Sequence, residues 1–334
     1  MYKSIHLNLL MVIAFSIVAI AQAGAAQGAP VQATIGGNNS AITPTGLIKL
    51  FDGNSLDGLY SWLQTTGYDD PTNVFQVKDN LLHVSGNGLG YIASHDRYRD
   101  FHMILEFKWG TNTYKPRAAR ARDGGLLIHG NGKDGGGQQG KAMSALQSQM
   151  IEGGMGDLII VQGVDNNGDL LPQSMTVETE WVTCLQDNWG CWYGYLYGYP
   201  ATHRWKDGGD SVTFTDWDLI HTGYWDPNWQ DYKGYRGANN LENPNGAWNQ
   251  MVVIADGDTV QVYFNGVKVN EATKVFPTSG RVHVQSEWAE LFVRRWELWP
   301  VGQAPSPINP ATSGGGGTTP APPSAPTNLS IMVR

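Results

Sequence analysis

The sequence predicts an all-β protein built from two packed antiparallel sheets. Three observations carry that prediction. Apolar and polar residues alternate with period two in the clearest stretches, Asn265-Gly266 marks a tight hairpin between two of them, and helical spacing is absent there. A sheet with one apolar face must bury it against a second layer.

Residues 246–300 are the most legible. An alternating run ends at Ala255, Asp256-Gly257-Asp258 turns the chain, and Thr259 to Phe264 alternates again. Val260, Val262 and Phe264 share one face of that strand. Asn265-Gly266 then reverses the chain, because both positions of a type I′ turn need φ > 0. Arg281 to Glu287 and Leu291 to Trp299 continue the pattern. Upstream, Leu47 to Phe51 opens the domain, and Val74 to Val84 reads as a hairpin turned at Asp79-Asn80. Phe101 to Trp109 is the longest clean strand. Phe101, Met103, Leu105, Phe107 and Trp109 are its core face; His102, Ile104, Glu106 and Lys108 form the other, read as a candidate ligand-facing side.

Composition narrows the class. With 13 Trp, 14 Tyr and 42 Gly but only 16% charged residues, the chain is a loop-rich β protein rather than a disordered one. The net charge of −8 argues against a nucleic-acid partner, since phosphate binding needs clustered Lys and Arg. Residues 1–23 read as a secretory signal peptide: Lys3 is the positive end, residues 7–20 the apolar core, and Ala21-Gln22-Ala23 the cleavage site. The apolar run falls short of the ~20 residues of a membrane span. The expected location is therefore secreted, periplasmic or cell-surface, with no membrane association after cleavage. Cys184 and Cys191, the two cysteines, are expected to pair as a local disulfide in that compartment.

Residues 24–45 read as a flexible leader, 46–301 as the main domain, and 302–323 as a Gly/Pro/Ser/Thr linker. Residues 324–334 resemble the first strand of a fibronectin type III module, which implies further modules tethered C-terminally. Within the domain, residues 170–241 form an insertion that holds more than half of the Trp, including Trp192 and Trp225. Long ordered insertions are usually functional.

Gly246-Ala247-Trp248-Asn249, residues 265–270, residues 280–287, Val293-Arg294 and residues 297–300 together resemble the C-terminal half of the 3-keto-disaccharide hydrolase family. The opening Phe51-Asp52-Gly53 resembles that family's entry motif. The resemblance covers roughly residues 46–300. It implies a two-sheet jelly roll of the concanavalin A/laminarinase type and a glycoside substrate oxidised to a ketone at C3.

Three segments compete for the active site. Asp123-Gly124-Gly125 resembles the family's Asn-Ser-Gly strand, with Asp and Gly replacing Asn and Ser, and His129 matches the family's terminal Arg or His. His129 also titrates near neutral pH. Gln147-Ser148-Gln149-Met150-Ile151-Glu152-Gly153 resembles a Glu-x-Gln-x-x-Glu-Gly strand whose first Glu is Gln147 here. Gln147 and Gln149 share one face about 7 Å apart, a reach that suits one sugar ring. Gln285-Ser286-Glu287-Trp288 places a carboxylate beside an indole, where desolvation raises its pKa.

Removing the C2 proton beside a C3 ketone lets the enolate expel the aglycone from C1. This needs one base, donors toward the enolate oxygen, and an acid. The expected base is Glu152 or His129 and the expected acid Glu287. Asp123, Gln147, Gln149, Trp288, Arg294, Trp192 and Trp225 are the expected substrate contacts. A carbohydrate is thus the expected partner. A non-catalytic carbohydrate-binding jelly roll and a conventional endo-glycan hydrolase are the rival readings. The laminarinase pattern Glu-x-Asp-x-x-Glu is absent. Residues 165–169 carry oxygen side chains at alternate positions, so calcium is possible, but Leu170 sits where a calcium loop needs Gly and a plain turn is the preferred reading. The basic run Arg117 to Arg122 reads as a solvated turn.

Overall fold

The computed structural model describes residues 40–183, 201–215 and 218–305. The expected signal peptide, the expected linker beyond residue 305, the fibronectin-like segment expected at 324–334, Trp192, Cys184 and Cys191 all lie outside these residues. The chain lays down β1 (Ile48–Phe51), β2 (Leu59–Leu63), β3 (Phe75–Lys78), β4 (Leu81–Val84) and β5 (Leu89–Ser94). Then come β6 (Phe101–Thr113), β7 (Asp123–Asn131), β8 (Ser144–Ile151) and β9 (Leu158–Val161). The insertion supplies β10 (Ser174–Thr183), β11 (Ala201–Trp205), β12 (Asp210–Phe214) and β13 (Leu219–Ile220). The last strands are β14 (Asn249–Asp256), β15 (Thr259–Phe264), β16 (Val267–Phe276), β17 (Arg281–Glu287) and β18 (Ala289–Trp299). Among the described residues, no helix is long and apolar enough to cross a membrane.

Two antiparallel sheets result. The larger runs β11-β10-β16-β15-β14-β6-β18-β4-β3, with β1 added on β18 and β12 on β10; the smaller runs β13-β9-β8-β7-β17-β5-β2. The expected hairpin is present: Asn265 and Gly266 have φ of 47° and 83°, and β15 pairs with β16. Phe101, Met103, Leu105, Phe107 and Trp109 line the interior with Met251, Val253, Val262 and Phe264. Leu126, Ile128, Leu146, Met150, Val282 and Val284 face them from the smaller sheet. Phe107 is fully buried and meets the rings of Trp109 and Phe264. Phe107→Ala is therefore expected to cost about 3–5 kcal/mol, read as a lower denaturant midpoint at unchanged slope.

Two expectations change here. The polar face of β6 does not face the candidate site; it is the outer surface of the larger sheet, where Glu106 is engaged by Arg294 at 2.7 Å and Arg295 at 3.2 Å. Arg294 thus lies away from Glu287, because the chain switches sheets between them. Trp288, with φ of 62°, joins β17 of the smaller sheet to β18 of the larger. Next, the insertion is woven into both layers, β10 pairing with β16 and β13 with β9. The plain turn expected at residues 165–169 is present, closed by their own groups. The Asp165 carboxylate accepts the backbone N–H of Asn167 at 2.8 Å and of Asp169 at 3.0 Å.

Candidate active site

Alternation along the smaller sheet sends one set of side chains inward and the other outward. On the outward face, cross-strand register builds a continuous polar row near one end. Glu287 of β17 lies opposite Asp123 of β7, and Gly125 of β7 opposite Gln149 of β8. Gln149 donates a backbone hydrogen bond to Asp157 O at 2.8 Å, and Asp157 Oδ2 lies 3.0 Å from His221 Nδ1. The side chains are linked as well. Gln149 Nε2 donates to Asp123 Oδ1 at 3.0 Å, and Gln147 Nε2 donates to Gln149 Oε1. Asp123, Gln147 and Gln149 are each buried. Glu287, with its side chain 19% exposed, marks the open end of the row, facing Lys141 at 3.5 Å. Trp288 follows it and is partly exposed.

Gly125 is what allows the glutamines to gather. A Cβ there would fall 2.8 Å from Gln147 Nε2 and 2.9 Å from Gln285 Oε1, so both amides lie flat across bare backbone. Gly124 N donates to Asp123 Oδ1 at 2.9 Å. Arg117 Nη1 reaches Asp123 Oδ2 at 3.4 Å, while its Nη2 contacts Asp231 at 3.1 Å. The basic run is a turn exposed at Ala118 to Arg120, as expected, but its two ends are engaged: Arg117 braces the site, and Arg122 is buried.

Burial pushes the Asp123 carboxyl up to about 8, and the Glu287 charge pushes in the same direction against Arg117. The site thus holds two carboxyl groups on neighbouring strands in different surroundings. One is buried and retains its proton near neutral pH; the other is partly open to solvent. Such a pair is suited to divided acid and base work.

At the far end of the row, Asp157 Oδ1 accepts Thr222 N at 2.7 Å, which fixes the carboxylate that holds His221. Trp225 stacks on His221, with centroids 4.0 Å apart and planes 12° apart. Together with Gln149, Ile151 and Trp229 they line a small recess beside the carboxyl pair.

The sequence profile of the 3-keto-alpha-glucoside-1,2-lyase-like domain matches residues 46–298. The chain belongs to that family. No curated relative matches it. Solved structures similar to this family member resemble it at low identity. A Parabacteroides distasonis ATCC 8503 protein assigned to the glycosyl hydrolases is 16% identical, with 77% of this chain and 94% of that one covered at a TM-score of 0.40. The carbohydrate-binding module CBM66 from Bacillus subtilis is 9% identical, covering 65% and 84% at 0.32. The Crh5 transglycosylase in complex with NAG is 8% identical, covering 78% and 87% at 0.38.

Several residues expected from family motifs lie apart from the row. Glu152 is fully buried at the end of β8. Its Oε2 accepts Arg122 N at 2.9 Å and Gly234 N at 2.7 Å, and its Oε1 pairs with Arg122 and Arg236. With both oxygens so held, it anchors the insertion to β8 and has no lone pair facing the row. His129 lies about 20 Å along β7 from Asp123. It is buried against Phe101, and burial pushes it down to about 4, which keeps it neutral. Trp225 supports His221 instead of offering an open platform.

The structure therefore brings together Asp123, Gln147, Gln149 and Glu287, with Trp288 at the edge, and separates Glu152, His129 and Arg294 from them. Asp157 and His221 escaped sequence reading. Asp157 lies beyond the strand motif that ends at Gly153, and nothing local distinguishes His221 inside an aromatic insertion. Arg117 and Lys141 carried no signal beyond charge.

Proposed function

We propose that this domain cleaves 3-keto glycosides by C2 proton abstraction and elimination of the aglycone. The observation that carries the reading is the Asp123–Glu287 pair on neighbouring strands, one carboxyl buried and pushed up by that burial, its neighbour partly open to solvent. In this reading Glu287 takes the C2 proton. The C–H electrons pass into an enolate whose oxygen sits near the Lys141 ammonium. As the ketone re-forms, a C1–C2 double bond appears and the C1–O bond breaks. Asp123 gives its proton to the departing oxygen. Water adding across the double bond then completes a net hydrolysis. Gln147 and Gln149 hold ring hydroxyls, and Arg117 and Asp157–His221 keep the two ends of the row in place. The chain works on this reading after export, as the pattern of residues 1–23 suggests.

A second reading has its own support. Gln147 does not titrate, and its amide is bonded on both sides, to Gln149 and to Gln138. That arrangement suits a glycan-holding site without turnover. Incubating the purified chain with a 3-keto glycoside and with its unoxidised parent tests both. Release from the ketone alone supports elimination. Retention of glycan without release supports the binding module, and release from the parent supports a conventional hydrolase.

A further inference from the structure

The segment 132–142, which joins β7 to β8, crosses the outward face of the smaller sheet beside the candidate site. One carboxylate pins it. Asp134 Oδ1 accepts the phenols of Tyr60 at 2.7 Å and Tyr91 at 2.6 Å, and its Oδ2 accepts Tyr68 at 2.9 Å. Trp62 Nε1 donates to Gly140 O at 3.1 Å. Gln138 and Gln139 are successive non-glycine residues at φ of 44° and 59°, a conformation that side chains disfavour.

Beneath this segment run His283, Gln285 and Glu287, alternate residues of β17. His283 is fully buried, and neither ring nitrogen has a hydrogen-bond partner. Gln285 is 1% exposed, and its Oε1 also lacks one. Buried polar atoms are ordinarily paired, because leaving them unpaired forfeits their hydration. Gln138 reaches down into the same strip. Its Nε2 donates to Gln147 Oε1 at 3.3 Å, and its Oε1 accepts from Gln285 Nε2 at 3.2 Å. Both contacts are longer than the most common N–H···O distance of about 2.9–3.0 Å.

We propose that the strip under this segment is a second sugar-ring subsite lined by Gln147, Gln285 and His283, which Gln138 fills as a stand-in for ligand hydroxyls. The proposal rests on the carbohydrate reading of the neighbouring site. Each sugar hydroxyl both donates and accepts, so one ring supplies the donor that Gln285 Oε1 lacks and a partner for His283. The Gln138 amide donates to Gln147 and accepts from Gln285 Nε2, and leaves Gln285 Oε1 and both His283 nitrogens unpaired. Entry of the second ring requires Gln138 to Gly140 to lift while Asp134 stays pinned, which breaks the bonds from Trp62 to Gly140 and from Gln64 to Gln139.

The test compares the intact chain with Gln138→Ala and Gln138→Gly. The probes are a methyl glucoside and a glucose disaccharide, each as parent sugar and as C3 ketone. Affinity is read by calorimetry and segment movement by tryptophan fluorescence. Removing the competing amide is expected to tighten the disaccharide about tenfold, leave the methyl glucoside unchanged, and shift the Trp62 signal when disaccharide binds. Weaker disaccharide binding in both variants would make Gln138 an ordinary ligand contact and overturn the proposal. Equal affinities in all three proteins would overturn the subsite while leaving the carbohydrate reading standing. If neither probe binds to any of the proteins, the carbohydrate reading falls and takes the subsite with it.

Discussion

Asp123→Asn is expected to lower release from a 3-keto glycoside by about 10²–10⁴-fold, the span typical for loss of a positioned acid. The amide keeps the shape and still accepts from Gly124 N, so substrate affinity should change much less. The pH dependence distinguishes this role from a structural one. Burial and the Glu287 charge push the Asp123 carboxyl up to about 8, so its proton is available below that pH and lost above it. The rate profile of the unaltered chain should therefore fall above about pH 8, a limb that the variant should lack. Stability should move with the same proton. A carboxyl whose folded value is raised stabilises the fold fully below its ordinary range, and that contribution disappears as pH rises through about 8. Melting temperatures at pH 5 and pH 9 should then differ more for the unaltered chain than for Asp123→Asn. Equal rates for the two proteins at neutral pH would remove Asp123 from the chemistry.

Glu152→Gln is expected to act on stability instead, by about 3–5 kcal/mol. The carboxylate is fully buried, pairs with Arg122, which is itself buried, and receives the backbone N–H groups of Arg122 and Gly234. Neutralising it leaves the Arg122 guanidinium inside without its countercharge. Arg236 keeps a second partner in Glu242 at 3.0 Å, so the damage should concentrate where Arg122 meets the insertion. Denaturant unfolding should show the loss, while catalysis measured well below the new melting point should persist. If stability held and only catalysis collapsed, Glu152 would return as the base.

These two carboxylates show how much of the site was legible. Gln147 and Gln149 were placed together because alternation on one strand determines which side chains share a face. Glu152 was grouped with them because it closes the same family motif, although alternation puts it out of phase with Gln147 and Gln149. Its fate was decided by Gly234 and Arg236, which arrive from the insertion. Arg294 follows Glu287 by seven residues and was grouped with it; the single left-handed residue Trp288 sends it to the opposite sheet. His129 shares a strand with Asp123, yet it lies at the far end of that strand and is covered by Phe101.

Taken alone, the amino-acid order determined the layered β architecture, the hairpin at Asn265-Gly266 and the core face of β6. Those features follow from alternation and turn chemistry, which act over a few neighbouring residues. Tertiary structure alone decided that Asp123 meets Glu287, that Asp157 holds His221, and that Gln138 covers Gln285. Strand order and the burial of each carboxyl depend on contacts between distant segments, and side-chain periodicity within one strand carries no information about them.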